Sequence, residues 1–172
     1  MKKLCCLFIS FVMIFLCSCS SEARPDVSMF ADRLALCDER YYFDYADLFI
    51  YENITHVYLS LCSEDDVMLS FETGHNGNID SVTVTAFSDT MNTVEAREEL
   101  KKLFCAVIDS FSMLSEYETE EKNKSLSYMN PDLYFSDIYE TYTSLRNHFI
   151  FSSNSSYMCL YCDYYEVVSL EF

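Results

Sequence analysis

Two cysteines three apart, Cys159-Leu160-Tyr161-Cys162, are the residues of this sequence that most invite chemistry. A C-x-x-C pair outside the cytoplasm suggests a redox dithiol. Their surroundings, "SYMCLYC", read as a strand, however, and strand positions three apart point to opposite faces. They lie about 10 Å apart, beyond the roughly 7 Å reach of a disulfide. A thioredoxin-type dithiol sits at a helix N-terminus, and nothing after Cys162 reads as a helix. The pair is therefore expected to be unbonded, each cysteine serving as a small apolar residue. Downstream of residue 19 the cysteines are Cys37, Cys62, Cys105, Cys159 and Cys162. Their number is odd, so at least one has no partner within the chain.

The other reactive side chains do not assemble along the sequence. His56 and Cys62 share a strand face but are six residues apart, about 20 Å on an extended chain, too far for a nucleophile and its base. His75 falls in a glycine turn and His148 in a polar link. Glu64, Asp65 and Asp66, or Asp38, Glu39 and Asp44, invite a calcium reading, but neither run alternates oxygen ligands around a glycine as an EF-hand loop does. They read as solvated turn charge. No catalytic residue, metal or cofactor is implied, and the balance leans to binding over catalysis. N-x-S/T triplets at Asn53, Asn123 and Asn154 matter only in a eukaryotic secretory pathway.

Cys19 is different, because its neighbours give its thiol a task. Lys2 and Lys3 form a positive start, and Leu4 to Leu16, "LCCLFISFVMIFL", is an apolar run of export-signal length. It breaks into serine and glutamate before the roughly 20 apolar residues that a membrane span needs. Leu16, Cys17, Ser18 and Cys19 then follow in the order Leu, tolerant position, small residue, Cys. This resembles the lipobox of bacterial lipoproteins. The chemistry suits it: a thiol takes a diacylglycerol as a thioether, and the small Ser18 lets a peptidase reach the bond before Cys19. The resemblance implies removal of residues 1–18, palmitate-type acyl chains on Cys19, and a tether over residues 19–25. Two or three chains on one residue anchor stably where one does not. Cleavage after Ala23, at Ser21-Glu22-Ala23, is the alternative and would give a freely secreted protein.

Charge agrees with a covalent anchor. With 11 Lys and Arg against 28 Asp and Glu the chain carries a formal −17. Such a surface repels nucleic acid and anionic headgroups alike. Nucleic acid is excluded as a partner, and the resemblance implies that covalent lipid holds the protein at the extracytoplasmic face of the cell membrane.

The remaining residues, 26–172, read as one domain, since 172 residues would divide poorly into two cores. Val27, Phe30, Leu34 and Cys37 give a helical stripe that Asp26 caps after Pro25. Period two follows in "THVYLSLC" and "VMLSFET", where Val57, Leu59, Leu61, Val67, Leu69 and Phe71 share one side. "SEDD" links these strands, and "GHNGN", which holds both glycines and calls for positive φ, leads to a third, with Val82, Val84 and Ala86 inward. The passage "YYFDYADLFIYEN" is ambiguous between loop and strand. A helix starts at a capping box of Asn92 and Glu95 and buries Ala96, Leu100, Leu103, Val107, Phe111 and Leu114. Another is expected from Ser115, with Glu118 at the box position, toward Tyr128. "FIFSS", "SYMCLYC" and "YYEVVSLEF" read as closing strands with turns at Ser152 to Ser156 and near Asp163.

The fold class is thus α+β: an antiparallel sheet, built from a three-stranded meander plus C-terminal strands, with helices packed on one face. Its other face is rich in tyrosine. The chain holds 14 Tyr and 14 Phe without tryptophan, and Tyr58, Tyr161 and Tyr165 fall opposite the apolar set. A flat ring with a polar tip suits protein and sugar surfaces, so these three form the candidate binding face. Its expected partner is an envelope protein or glycan. The layout also resembles small uncharacterised extracytoplasmic lipoproteins of single-membrane bacteria, which implies an anchored, outward-facing domain and no particular activity. An enzyme acting on envelope material is the rival class, and a cleft that gathers carboxylates, or His56 with a cysteine, would mark it.

Overall fold

The computed structural model describes residues 24–62, 67–112, 126–143 and 147–164. Its first element is helix α1, Val27–Cys37, whose Asp26 carboxylate accepts the Met29 N–H at 2.8 Å. Val27, Phe30, Ala31 and Leu34 are buried, but the stripe stops there and Cys37 is exposed, because the helix ends at that residue.

Seven strands follow as one antiparallel sheet. They are β1 (Phe49–Tyr51), β2 (Ile54–Leu59), β3 (Val67–Thr73), β4 (Ile79–Phe87), β5 (Ile138–Thr143), β6 (Asn147–Ser153) and β7 (Tyr157–Tyr164). Their spatial order is β1-β2-β3-β4-β7-β6-β5, so the first four strands and the last three each run through neighbours, and β4 joins β7 at the centre. Helix α2, Val94–Ser112, lies between the two runs in sequence. The observed class is α+β with an antiparallel sheet.

Alternation decides which side of each strand meets the helices. Val57, Leu69, Val84, Leu160 and Phe151 stand in one cross-strand row and are all buried. Onto this side α1 sets Phe30 edge-on to Phe71 at 5.5 Å, and α2 sets Phe104 against Phe151 at 6.0 Å. Such aromatic pairs add about 0.5–1.5 kcal/mol each beyond the area they bury. In β4, Thr73 pairs with Ile79 and Glu72 with Ser81, which leaves Asp80 as an extra residue. That bulge resets the alternation, so Ile79 and Val82, three apart, both reach the core.

The helices are also tied by charge. Arg40 Nη2 contacts Asp38 at 2.6 Å and Glu99 on α2 at 2.5 Å, and Lys102 reaches the same Glu99 at 2.6 Å. The Arg40 guanidinium holds the Asp38 carboxyl down at about 2, and Lys102 with Arg40 lowers Glu99.

Several local expectations are corrected. Thr93 Oγ1, one residue after Asn92, accepts the Ala96 N–H at 3.1 Å, while the Asn92 amide turns back to the Asp89 carbonyl. Gly77 has φ +80°, but Gly74 does not need it; there a Cβ would stand 2.9 Å from an Asp80 carboxylate oxygen. β7 continues through Asp163 to Tyr164, so no turn falls at Asp163 itself, which lies on the polar side of the strand; the rest of the expected strand "YYEVVSLEF", beyond Tyr164, lies outside the described residues. The ambiguous passage resolves into a short 3-10 turn at Glu39–Tyr41, a loop, and β1. β5 had no counterpart among the expected strands. The "SEDD" link, Leu114 and most of the helix expected from Ser115 lie outside the described residues, and the end of the latter, Ser127–Met129, is a 3-10 turn.

Candidate functional site: the open face of the sheet

The side of the sheet away from the helices takes the alternate residue of every strand. One row across it reads Phe49, His56, Ser70, Thr83, Tyr161, Ile150 and Thr141, and the next reads Tyr58, Met68, Thr85, Cys159, Ser152 and Tyr139. No described helix packs on it. Its middle, with Met68 and Ile150, is half-buried, and its exposed large side chains, among them Tyr58, Phe87, Tyr139 and Tyr157, lie toward the rim.

Tyr58 and Tyr161 therefore share this face, as their parity in the sequence indicated. They do not touch: β3 and β4 lie between them, a separation of three strand spacings or about 15 Å. Tyr58 is 45% exposed, and its ring stacks on Phe49 at 5.4 Å. Phe49 stacks also on His56 at 5.2 Å, so one phenyl ring of β1 braces two rings of β2. His56 is only 7% exposed; its Nδ1 shares a 2.8 Å hydrogen bond with Ser70 Oγ, and its Nε2 has no partner among the described residues. Tyr161 is more deeply set, and burial raises its phenol pKa, with Asp163 and Glu72 adding their charge. Tyr165, and Leu16, Cys17, Ser18 and Cys19, lie outside the described residues.

At the far end of the face the polar groups collect. Ser81 donates to Glu72 Oε2 at 3.0 Å, and His148 Nδ1 lies 3.3 Å from Asp163 Oδ1. The register reads Ser81, Asp163, His148 from strand to strand, so the carboxylate separates the hydroxyl from the imidazole. A nucleophilic serine needs the imidazole in the middle. His56 is bonded to Ser70, not to a thiol. Among the described residues no three His, Cys, Asp or Glu side chains are placed to hold one metal ion.

The two cysteines of the C-x-x-C sequence separate as the strand alternation requires. Cys159 is half-buried on the open face and Cys162 is buried in the core, both as free thiols. Burial raises the pKa of each, and that of Cys162 well above the usual thiol value. Neither is a poised nucleophile.

The sequence reading overlooked Phe49, Phe87, Tyr139 and Tyr157. Parity marks Phe87 and Tyr157, since each continues the outward set of its strand, but their adjacency comes only from the pairing of β4 with β7. Phe49 had no signal, because β1 is three residues long. No lysine or arginine alternates onto this face in any described strand; its charges are Glu72 and Asp163. No protein-family model, curated protein or solved structure matches the chain. Among the described residues no helix is long and apolar enough to cross a membrane.

Proposed function

We propose that this chain is a lipid-anchored extracytoplasmic binding protein without catalytic activity. Residues 1–18 direct export, Cys19 carries the lipid, residues 19–25 form the tether, and residues 26–172 form a single domain whose sheet is a three-stranded meander plus C-terminal strands. The domain holds an envelope protein or glycan on the open face. The observation that carries this reading is that face itself: an aromatic and hydroxyl-rich surface, with no lysine or arginine on any described strand, that no described helix covers. Anchoring raises the effective concentration toward anything else held in the envelope, so a modest surface is sufficient. Aromatic rings with polar tips bind protein and sugar without a deep pocket.

Two experiments test the halves separately. Cys19→Ala should release the protein from the membrane fraction and remove the lipid from its mass; unchanged fractionation and mass defeat the anchor. Full-length protein with Tyr58→Ser and Tyr161→Ser should lose its envelope partners in pull-downs while unfolding at the same denaturant concentration. Retention of the same partners, or a collapse in stability, makes those tyrosines structural.

A further inference from the structure

The sheet ends on one side in β1, and no described residue pairs with the outer side of that strand. A bare edge is a template for another chain, and proteins ordinarily blunt it with charge, proline or a bulge. β1 has none of these. Phe49, Ile50 and Tyr51 are uncharged, and Ile50 is 76% and Tyr51 63% exposed. The opposite edge is different: β5 carries Glu140, whose carboxylate takes the Ser127 hydroxyl at 2.6 Å and the Ser127 N–H at 3.1 Å.

β1 is short but preformed. Glu52 and Asn53 turn the chain into β2 with φ of 51° and 66°, the left-handed pair whose twist matches a two-residue hairpin. Tyr51 and Ile54 flank this turn as its bonded pair, so Ile50 falls on the alternate position, with its N–H and C=O directed away from β2. Phe49 holds the strand down by stacking on His56 and Tyr58. An edge that is already ordered costs little entropy to occupy.

Charge selects the occupant. The sequence contains no lysine or arginine from Tyr41 to Ala96. Asp44 and Asp47 precede β1 and Glu52 follows it, while Asp32 and Asp44 line a cleft of about 120 Å³ between α1 and the loop that leads into the strand. A second copy paired edge to edge would set these acids against one another. A basic segment would neutralise them.

We propose that β1 is a docking edge for an extended, lysine- or arginine-bearing segment of a partner protein. The segment adds as a further strand, with its basic residues beside Asp44, Asp47 and Glu52. The edge adjoins the open face where Phe49 stacks on Tyr58, but the proposal does not rest on the reading of that face.

The test uses full-length protein in mild detergent and three fluorescent peptides of alternating Val and Thr. One has a lysine at each end, one a glutamate at each end, and one has the lysines but methylated backbone nitrogens on alternate residues. The lysine peptide should bind, the glutamate peptide should not, and methylation should weaken binding by about tenfold or more, because it removes ladder donors and keeps the charge. Ile50→Pro should abolish binding, and Tyr161→Ser, on β7 with three strands between it and β1, should leave it unchanged. Equal binding of the methylated peptide would reduce the effect to charge attraction and overturn the proposal. So would absence of binding by the lysine peptide, or a dimer in sedimentation that Ile50→Pro dissociates, since the edge would then serve a second copy.

Discussion

The same strands present two unlike surfaces. On the side toward the helices, Leu69, Phe71, Val82, Val84 and Leu160 are wholly buried; one residue along each strand, Ser70, Thr83, Thr85, Cys159 and Tyr161 face outward at intermediate burial. The period of a strand is two, so each residue's side was fixed by its parity and not by its neighbours in sequence. The contrast teaches that packing and exposure are separable here: stability depends on packing under α1 and α2, and the proposed recognition would rest on rings that the alternation turns outward.

The largest effect should come from the packed side. Phe71 meets Phe30 of α1 and Phe43 at 5.5 and 5.8 Å. Phe71→Ala should cost about 3–5 kcal/mol in urea unfolding, the range for a buried aromatic residue. A loss below about 1 kcal/mol would mean that this side is loosely packed and the comparison fails.

The cysteines sharpen the same division. Burial raises both thiol pKa values, so thiolate is scarce near neutral pH and alkylation should accelerate as pH rises. In the folded protein Cys159 should react on the order of a hundred times faster than Cys162, which becomes accessible only through unfolding. Peptide mapping after timed alkylation reads both rates, and equal rates would place them in like surroundings.

A smaller effect belongs to the link between the helices. Arg40→Ala should cost less than about 1 kcal/mol at neutral pH, since this exposed network is screened by solvent. Asp38 has its pKa lowered from 3.8 to about 2, and Glu99 is also lowered. Groups depressed in the folded state stabilise above their unfolded pKa and lose that contribution as pH falls through the folded one. The gap between wild type and Arg40→Ala should therefore be full above about pH 5 and close toward pH 2. Smallest of all, Thr83→Ala in the middle of the open face should stay within about 0.5 kcal/mol.

How much of this was written in the sequence follows from the same parity. β2, β3 and β4 were legible because one side of each is apolar, and Tyr58 and Tyr161 could be assigned to the outward side for that reason. β5, "IYETYT", hid because its residues are half-buried or exposed and supply no apolar stripe. The Asn92 cap was one residue off because Thr93 has an equally good oxygen, and only the backbone chose between them. What could not be read is cross-strand order. The placing of β4 beside β7 brings Phe87 next to Tyr157 and sets Tyr58 and Tyr161 about 15 Å apart, a long-range pairing that no local spacing encodes.

The most direct test of the central claim is tyrosine footprinting. Nitration of Tyr58 would be compared between protein in intact envelopes and the same protein purified in detergent, with exposed Tyr42, outside the open face, as the internal reference. If the open face is the binding surface, Tyr58 should be protected in the envelope by several-fold relative to Tyr42 and lose that protection on purification. Equal modification of Tyr58 in both settings would contradict the account.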